Sequence, residues 1–395
     1  MKVIFVHPSY PNQFTRIAHG LGEREGWECA FLVNEGFTEQ VRRENPPIAY
    51  YGFREKVSPP SGSFYIQSLE EGTHRGKAVV EALAYLKASV GLDMVVGHAA
   101  FGTTFFVREI LKVPVISYVE LPGYFPVHCR EEFPSQYPQA LIDLSLRALI
   151  HSSVLQSDLC IVPSNHAKRL FPRELQDKIR VQMEGFSLPS LIQGKTALRR
   201  DLGLSGSDPV VGFAGRTLEA VRGFDIFVQV ARRITQTRQD VQFLVIGNDA
   251  TLYGNETIYL AGKSFKQHVL ETAGMSEEAF FFKPFMPYDQ FVRHLQAMDL
   301  ILFPLFEGAA NWGLFEAMAA GVPILASCRC FIPEVITHGQ EGLLFDPPDV
   351  EGFSRAALDI LKEPDRFRHL GRNAREKISR EFSLKKAEGG DMRRS

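Results

Sequence analysis

The chain lacks the usual marks of a metal, membrane or nucleic-acid protein. No Asp-x-Asp pair occurs. Clustered hard oxygen ligands, which hold a diphosphate through Mg²⁺ or Mn²⁺, are therefore not offered, and we expect neither metal nor cofactor. Cysteine is scarce: five in 395 residues, an odd number, with no C-x-x-C. Cys328 and Cys330 are too close together to form a zinc knuckle on their own, so free thiols in a reducing cytoplasm are expected. No apolar run reaches the length of a membrane span. No long basic amphipathic helix announces a membrane surface, so peripheral membrane contact is not indicated. Charge of one sign is missing too. The formal net charge of -2 excludes the broad basic field that nucleic acid requires. The opening MKVIFVHPSY carries one lysine and an apolar run too short for a secretory signal, and it reads as a buried first strand.

What is present is a 45% hydrophobic chain long enough for two cores. Short apolar runs recur: KVIFVH, CAFLV, DMVVG, VPVISYV and LCIVP in the first half. PVVGFAG, VQFLVIG, AFFFKP, DLILFP, VPILAS and GLLFDP follow in the second. Helical stretches such as 70–90 and 137–156 lie between several of them. Continuous apolar strands alternating with helices predict parallel sheets covered on both faces. The pattern pauses in a Gly-, Ser- and Pro-rich stretch at 183–209, which reads as the linker. The expectation is an α/β chain of two Rossmann-like domains, 1–190 and 191–375. A tail at 376–395 is expected as a helix able to cross back to the first domain. Ligands of such sheets bind at the carboxyl ends of the strands, which directs attention to the residues just after each strand.

Two stretches of this kind carry chemistry. In FEGAANWGLFEAMAAGVPILAS, Asn311 suits a helix N-cap. The free N–H groups and dipole of the helix it opens favour an anion such as a diphosphate. Ala309, Ala310 and Gly313 keep side chains out of its way. Glu316, one turn in, can accept hydrogen bonds from two vicinal hydroxyls, as on a ribose. It can equally serve only to complement the helix dipole, and the sequence leaves both readings open. The second stretch is GFAGRTLEAVRGF. Arg216 stands at a strand end beside Gly215, and Arg222 precedes Gly223, where the next helix starts. Two guanidiniums beside a helix N-terminus form a fork for a pyrophosphate.

An Arg…Arg-Gly motif after the first strand of a second domain, with a Glu…Glu pair whose second member opens EAMAAGVP, resembles the retaining nucleotide-sugar glycosyltransferases of family 4. HPSYPNQF, GRTLEAVRGF and GKSFKQHVL resemble a bacterial subgroup. The likeness covers nearly the whole chain and is weakest around 35–62 and at the last residues. It implies the GT-B fold, with two Rossmann-like domains facing each other across a cleft. It also implies that Arg216 and Arg222 neutralise a donor diphosphate and that Glu316 holds the ribose. The turn from Gly308 through Ala310 and Asn311 to Gly313, with the first helical residues Trp312 and Leu314, would cover the donor. Two departures stand out. The family spaces its glutamates E-x7-E, whereas Glu307 and Glu316 are E-x8-E, which leaves the sugar contact of Glu307 open. The HPSYPNQF loop lacks the paired glycines of many relatives, so Asn12 or Gln13 would offer side-chain amides instead.

The first domain would supply acceptor contacts. His7, His98 and Glu120 each follow a strand, and Gly102-Thr103-Thr104 is expected to open a helix. Many relatives carry His where this chain has Glu120. A lone strand-end His or Glu is more often structural, but three of them together make His98 and Glu120 candidate catalytic residues beside Arg216, Arg222 and Glu307. Glu184 reads as structural. The function implied is transfer of a sugar, with retention, from a nucleoside-diphosphate sugar to an acceptor hydroxyl. Family frequency favours UDP over GDP. The acceptor is a glycan, lipid carrier, protein or small molecule, and the oligomeric state is not read. The alternatives are a nucleotide-sugar 2-epimerase of the same architecture and a non-catalytic nucleotide-binding subunit.

Overall fold

The computed structural model describes residues 1–55, 63–124 and 127–384. They form two compact units. The first holds a seven-stranded parallel sheet in the order β3-β2-β1-β4-β5-β6-β7. Its strands are β1 (Lys2–His7), β2 (Glu28–Asn34), β3 (Ala49–Phe53), β4 (Met94–His98), β5 (Val115–Tyr118), β6 (Leu159–Val162) and β7 (Ile179–Val181). The second holds a six-stranded parallel sheet in the order β10-β9-β8-β11-β12-β13. Here the strands are β8 (Val210–Thr217), β9 (Gln242–Asn248), β10 (Phe280–Lys283), β11 (Leu300–Phe303), β12 (Ile324–Ser327) and β13 (Leu343–Phe345). Each sheet starts in its middle, runs outward and then reverses, at β1/β4 in the first and at β8/β11 in the second.

The continuous apolar runs become these strands because both faces of each central strand are covered. Val6, Leu32, Val95 and Val115 pack on one side of the first sheet, and Phe5, Phe31 and Val33 on the other. In the second unit Phe213, Phe224, Phe227, Val245 and Leu302 share one core. Each fully buried side chain of this size contributes about 1.5–3 kcal/mol, which fixes the strand register and so the positions of the loops at its end.

The division between the units differs from the boundaries expected at 190/191 and 375/376. Residues 186–190 belong to the second unit. There the Phe186 ring stacks on Phe315 with centroids 4.7 Å apart, and its N–H donates to the Phe382 carbonyl at 2.8 Å. The helix Pro364–Glu381 runs unbroken through 375/376, held by buried Leu370, Ala374 and Ile378. The expected tail beyond residue 384 lies outside the described residues. Residues 127–134, from the middle of the first half of the chain, also join the second unit, with Phe133 in its core.

Two smaller expectations also change. The linker stretch contains a helix, Lys195–Asp201, because Leu198 is buried and Arg199 donates to the Ala297 carbonyl at 2.9 Å. Gly102 does not open a helix. It is left-handed (φ 71°), and the helix starts only at Val107. The Thr103 hydroxyl accepts from the His98 N–H at 2.7 Å, and Thr104 pairs with the Ser117 hydroxyl at 2.8 Å, so both threonines serve the sheet end.

Candidate active site

In the second unit both chemical motifs arrive at the reversal between β8 and β11. Arg216 is the second-last residue of β8 and is exposed. After it the chain makes a 3₁₀ turn, Ala220–Arg222, and Gly223 (φ 71°) caps the helix Phe224–Thr237. Glycine is required at 223 because the backbone is left-handed and a Cβ would strike the Pro304 carbonyl at the end of β11. The two loops are therefore in contact. The Phe306 N–H also donates to the Val221 carbonyl at 2.8 Å.

Arg222 is mostly buried, and its Nε lies 3.9 Å from the Glu219 carboxylate. That Nε is buried without a hydrogen-bond partner among the described residues. Its guanidinium carbon lies 5.7 Å from the centre of the Tyr253 ring. Glu219 is fully buried and accepts from the Tyr253 and Gly254 N–H groups at 2.8 and 2.9 Å and from the Thr217 hydroxyl. Glu256, also buried, accepts from the Ala220 N–H at 3.0 Å, and burial pushes its carboxyl up from the usual range. These two carboxylates brace the arginine turn against the loop after β9. The sequence reading missed both, although an acid lying between the two arginines is a visible signal in the case of Glu219.

The loop after β11 leads into the helix Trp312–Ala320. Asn311 caps it as expected, accepting from the Leu314 N–H at 3.2 Å. That commits the Leu314 amide to the cap, and Trp312 and Gly313 are the first two residues of the helix. The Gly308 N–H donates to the Glu307 carboxylate at 2.8 Å, so Glu307 supports its own loop. Gly308 and Ala310 are half-buried, and Trp312 is exposed. Glu316 is the fifth residue of the helix and is buried, beyond the first turn where a carboxylate complements the dipole best. It accepts from the Tyr288 hydroxyl at 2.9 Å. Tyr288 opens the helix that follows β10, and nothing in the sequence tied it to Glu316.

In the first unit the reversal between β1 and β4 brings His7 and His98 together, with ring centroids 5.7 Å apart and both rings buried. His98 Nε2 lies 3.0 Å from a Glu120 oxygen, and the Gln13 amide donates to the other oxygen at 2.9 Å. Burial by itself would raise the Glu120 carboxyl, but the His98 ring and both hydrogen bonds outweigh it and bring it to about 2. His7 falls to about 3, first through burial and then through His98 beside it. The amides of Asn12 and Gln13 are engaged locally. Asn12 donates to the Ser9 carbonyl at 2.7 Å, and Gln13 serves Glu120. Glu184 accepts from the Tyr118 hydroxyl at 2.6 Å, a structural contact.

Residues 25–190 match the profile of the Glycosyl transferase family 4 group, and residues 194–377 match that of Glycosyl transferases group 1. The chain belongs to glycosyltransferase family 4, group 1. A D-inositol 3-phosphate glycosyltransferase of Segniliparus rotundus is 26% identical to this family member over 212 residues, 53% of this chain and 45% of that protein. The chain thus spans about half the length of the first curated relatives it matches. Among solved structures, sucrose-phosphate synthase from Thermosynechococcus elongatus has a TM-score of 0.76 at 16% identity, covering 99% of this chain and 97% of that one. Anabaena HepE, in complex with UDP and glucose, has a TM-score of 0.72 at 17% identity, covering 99% and 98%. These likenesses show the GT-B fold for this family 4 chain. Among the described residues no group of three or more His, Cys, Asp or Glu is placed to hold a metal ion, and no helix is long and apolar enough to cross a membrane.

Proposed function

We propose that this protein is a glycosyltransferase that uses a nucleoside-diphosphate sugar, UDP in preference to GDP, and transfers the sugar with retention to an acceptor hydroxyl. The observation that carries the reading is the Arg222 Nε. It is buried, has no hydrogen-bond partner among the described residues, and lies at a helix start next to a second strand-end arginine. Burying a guanidinium N–H without a partner is unfavourable, and a diphosphate oxygen would satisfy it. Family membership and the UDP bound by HepE support the same donor class.

In this reading Arg216, Arg222 and the N–H groups that open the helix Trp312–Ala320 stabilise charge as it builds on the leaving diphosphate. The sugar passes through an oxocarbenium-like state. Glu316, oriented by Tyr288, accepts from the ribose hydroxyls. The acceptor hydroxyl attacks on the leaving-group face, and its proton passes to the departing phosphate. Glu307 faces the sugar from its loop, and His98 with Glu120 serves the acceptor. The arginines carry the charge that a metal carries elsewhere, so the reaction is metal-independent. All five cysteines are free thiols, which supports a reducing, cytoplasmic setting. The test is incubation with a panel of UDP- and GDP-sugars, read by mass spectrometry. Slow release of free sugar from a UDP-sugar is expected. Formation of an epimer, or binding without turnover, would overturn the reading.

A further inference from the structure

Arg130 belongs to the segment 127–134, which leaves the first half of the chain and packs within the second unit. Its side chain is 6% exposed, a rare state for arginine. Nη1 donates to the Ala220 carbonyl at 2.8 Å and to Asp225 at 3.1 Å, and Nη2 donates to the other Asp225 oxygen at 2.8 Å. Nε and Nη2 also reach Glu132, at 3.1 and 3.2 Å. The guanidinium carbon lies 4.1 Å from the centre of the Phe306 ring.

These partners are the supports of both donor loops. Ala220 opens the turn that presents Arg222, and Asp225 lies in the first turn of the helix capped by Gly223. Phe306 precedes Glu307 and Gly308 and is already bonded to the Val221 carbonyl. A planar fork with fixed donor directions can join a carboxylate, a carbonyl and an aromatic face at once, which a lysine cannot. All three nitrogens of Arg130 are engaged, so it is not itself a ligand for the donor.

We propose that Arg130 is a positioning residue for the donor diphosphate, a clasp that holds the Arg222 turn and the Phe306–Gly308 loop at a fixed separation. This rests on the donor site proposed above. A clasp of this kind would act on diphosphate recognition and leave the base and ribose contacts alone.

The experiment measures binding of UDP and UMP, then of GDP and GMP, by titration calorimetry, together with kcat, KM and melting temperature. The proteins are the full-length wild type, Arg130→Met, Arg130→Lys and Phe306→Leu. Binding is read well below each melting point. The wild type should bind the diphosphate at least tenfold more tightly than the monophosphate. Arg130→Met should lose most of that ratio with monophosphate affinity unchanged, and kcat should fall further than KM rises. Arg130→Lys should fall between Arg130→Met and wild type. Phe306→Leu, which keeps the ion pair, tests the same loop if Arg130→Met does not fold, and it should lose part of the ratio. A wild type that does not distinguish diphosphate from monophosphate would overturn the donor reading itself. A wild type that does, beside variants that melt lower yet keep the full ratio, would overturn only the assignment of Arg130.

Discussion

The two sheets reverse at equivalent places, yet the chain fills those places differently. At β8/β11 it sets two arginines and a helix start, and leaves the Arg222 Nε buried without a hydrogen-bond partner among the described residues. At β1/β4 it sets two buried imidazoles, His7 and His98, and one carboxylate, Glu120, which His98 and Gln13 both meet. One reversal sets two guanidiniums beside a helix start and braces one of them with buried carboxylates. The other pairs its carboxylate, Glu120, with a ring nitrogen and an amide and keeps His7 Nε2 and His98 Nδ1 buried without a hydrogen-bond partner among the described residues. The topology selects where a ligand can be met. The residues at the strand ends select what can be met there.

The largest effect should come from the arginines. Arg216→Ala and Arg222→Ala should each lower turnover by about 3 kcal/mol of transition-state stabilisation; the melting temperature should barely move in the first and drop in the second, which leaves buried Glu219 without its cation. Activity assays beside thermal melts decide this, and near-normal rates in either variant would break the comparison. Arg222→Lys should retain more activity than Arg216→Lys, as the resemblance to the family implies for the second place.

Next in size is Glu316. Loss of a charge-assisted pair of hydrogen bonds costs roughly 1.5–3 kcal/mol, so Glu316→Gln should weaken binding of donor and free nucleotide alike. A 2′,3′-dideoxy nucleotide should be hardly affected. Tyr288→Phe should shift the same affinity in the same direction and by less, because it removes only the group that orients the carboxylate.

The histidine cluster makes a different prediction. His7 is held near 3 against an ordinary 6.5, and Glu120 near 2 against 4.5. Both are lowered, so the unfolded chain binds protons that the folded unit does not, and stability is lost as pH falls. The loss begins as pH drops below about 6.5 through His7, steepens below about 4.5 through Glu120, and is complete only below their folded values. Trp27 packs against the core of the first unit, and in a Trp312→Phe background its fluorescence reports that unit. Melting followed this way should drop between pH 7.5 and 4.5, and His7→Gln should flatten the slope. An unchanged melting temperature over that range would show that the cluster carries no such linkage.

Glu307 should give a smaller and more selective change. If it faces the sugar, Glu307→Gln lowers turnover and leaves free-nucleotide affinity unchanged. Equal loss of nucleotide affinity in Glu307→Gln and Glu316→Gln would collapse the division between a sugar carboxylate and a ribose carboxylate. The smallest expected effect is that of EDTA: activity should survive it. Loss on chelation with recovery in Mn²⁺ would place a metal where the arginines are proposed to act.

The central strands were legible in the chain because a strand buried on both faces must be apolar at every position, as in KVIFVH and VVGFAG. The strands that the pattern missed, β3 and β7, lie at the two ends of the first sheet. Tyr50, Tyr51 and Gly52 of β3 are at most half-buried, and β7 is only Ile-Arg-Val. An edge strand is covered on fewer sides and need not show a continuous apolar run. The helix cap at Asn311, the helix start at Gly223 and the strand-end arginines were legible for a related reason: each follows from local backbone chemistry within a few residues. Contacts between residues distant in sequence were left to the tertiary structure. Gln13 meets Glu120, Tyr288 meets Glu316, and Arg130 meets Asp225 and Phe306. No local pattern encodes these pairs, because each forms only after the sheets have set the strand ends side by side. The sequence alone determined the elements and the chemical groups at their ends. The tertiary structure decided which of those groups pair with one another and which, like the Arg222 Nε, are buried without a hydrogen-bond partner among the described residues, because burial removes water as the alternative partner and makes every unmet hydrogen bond count.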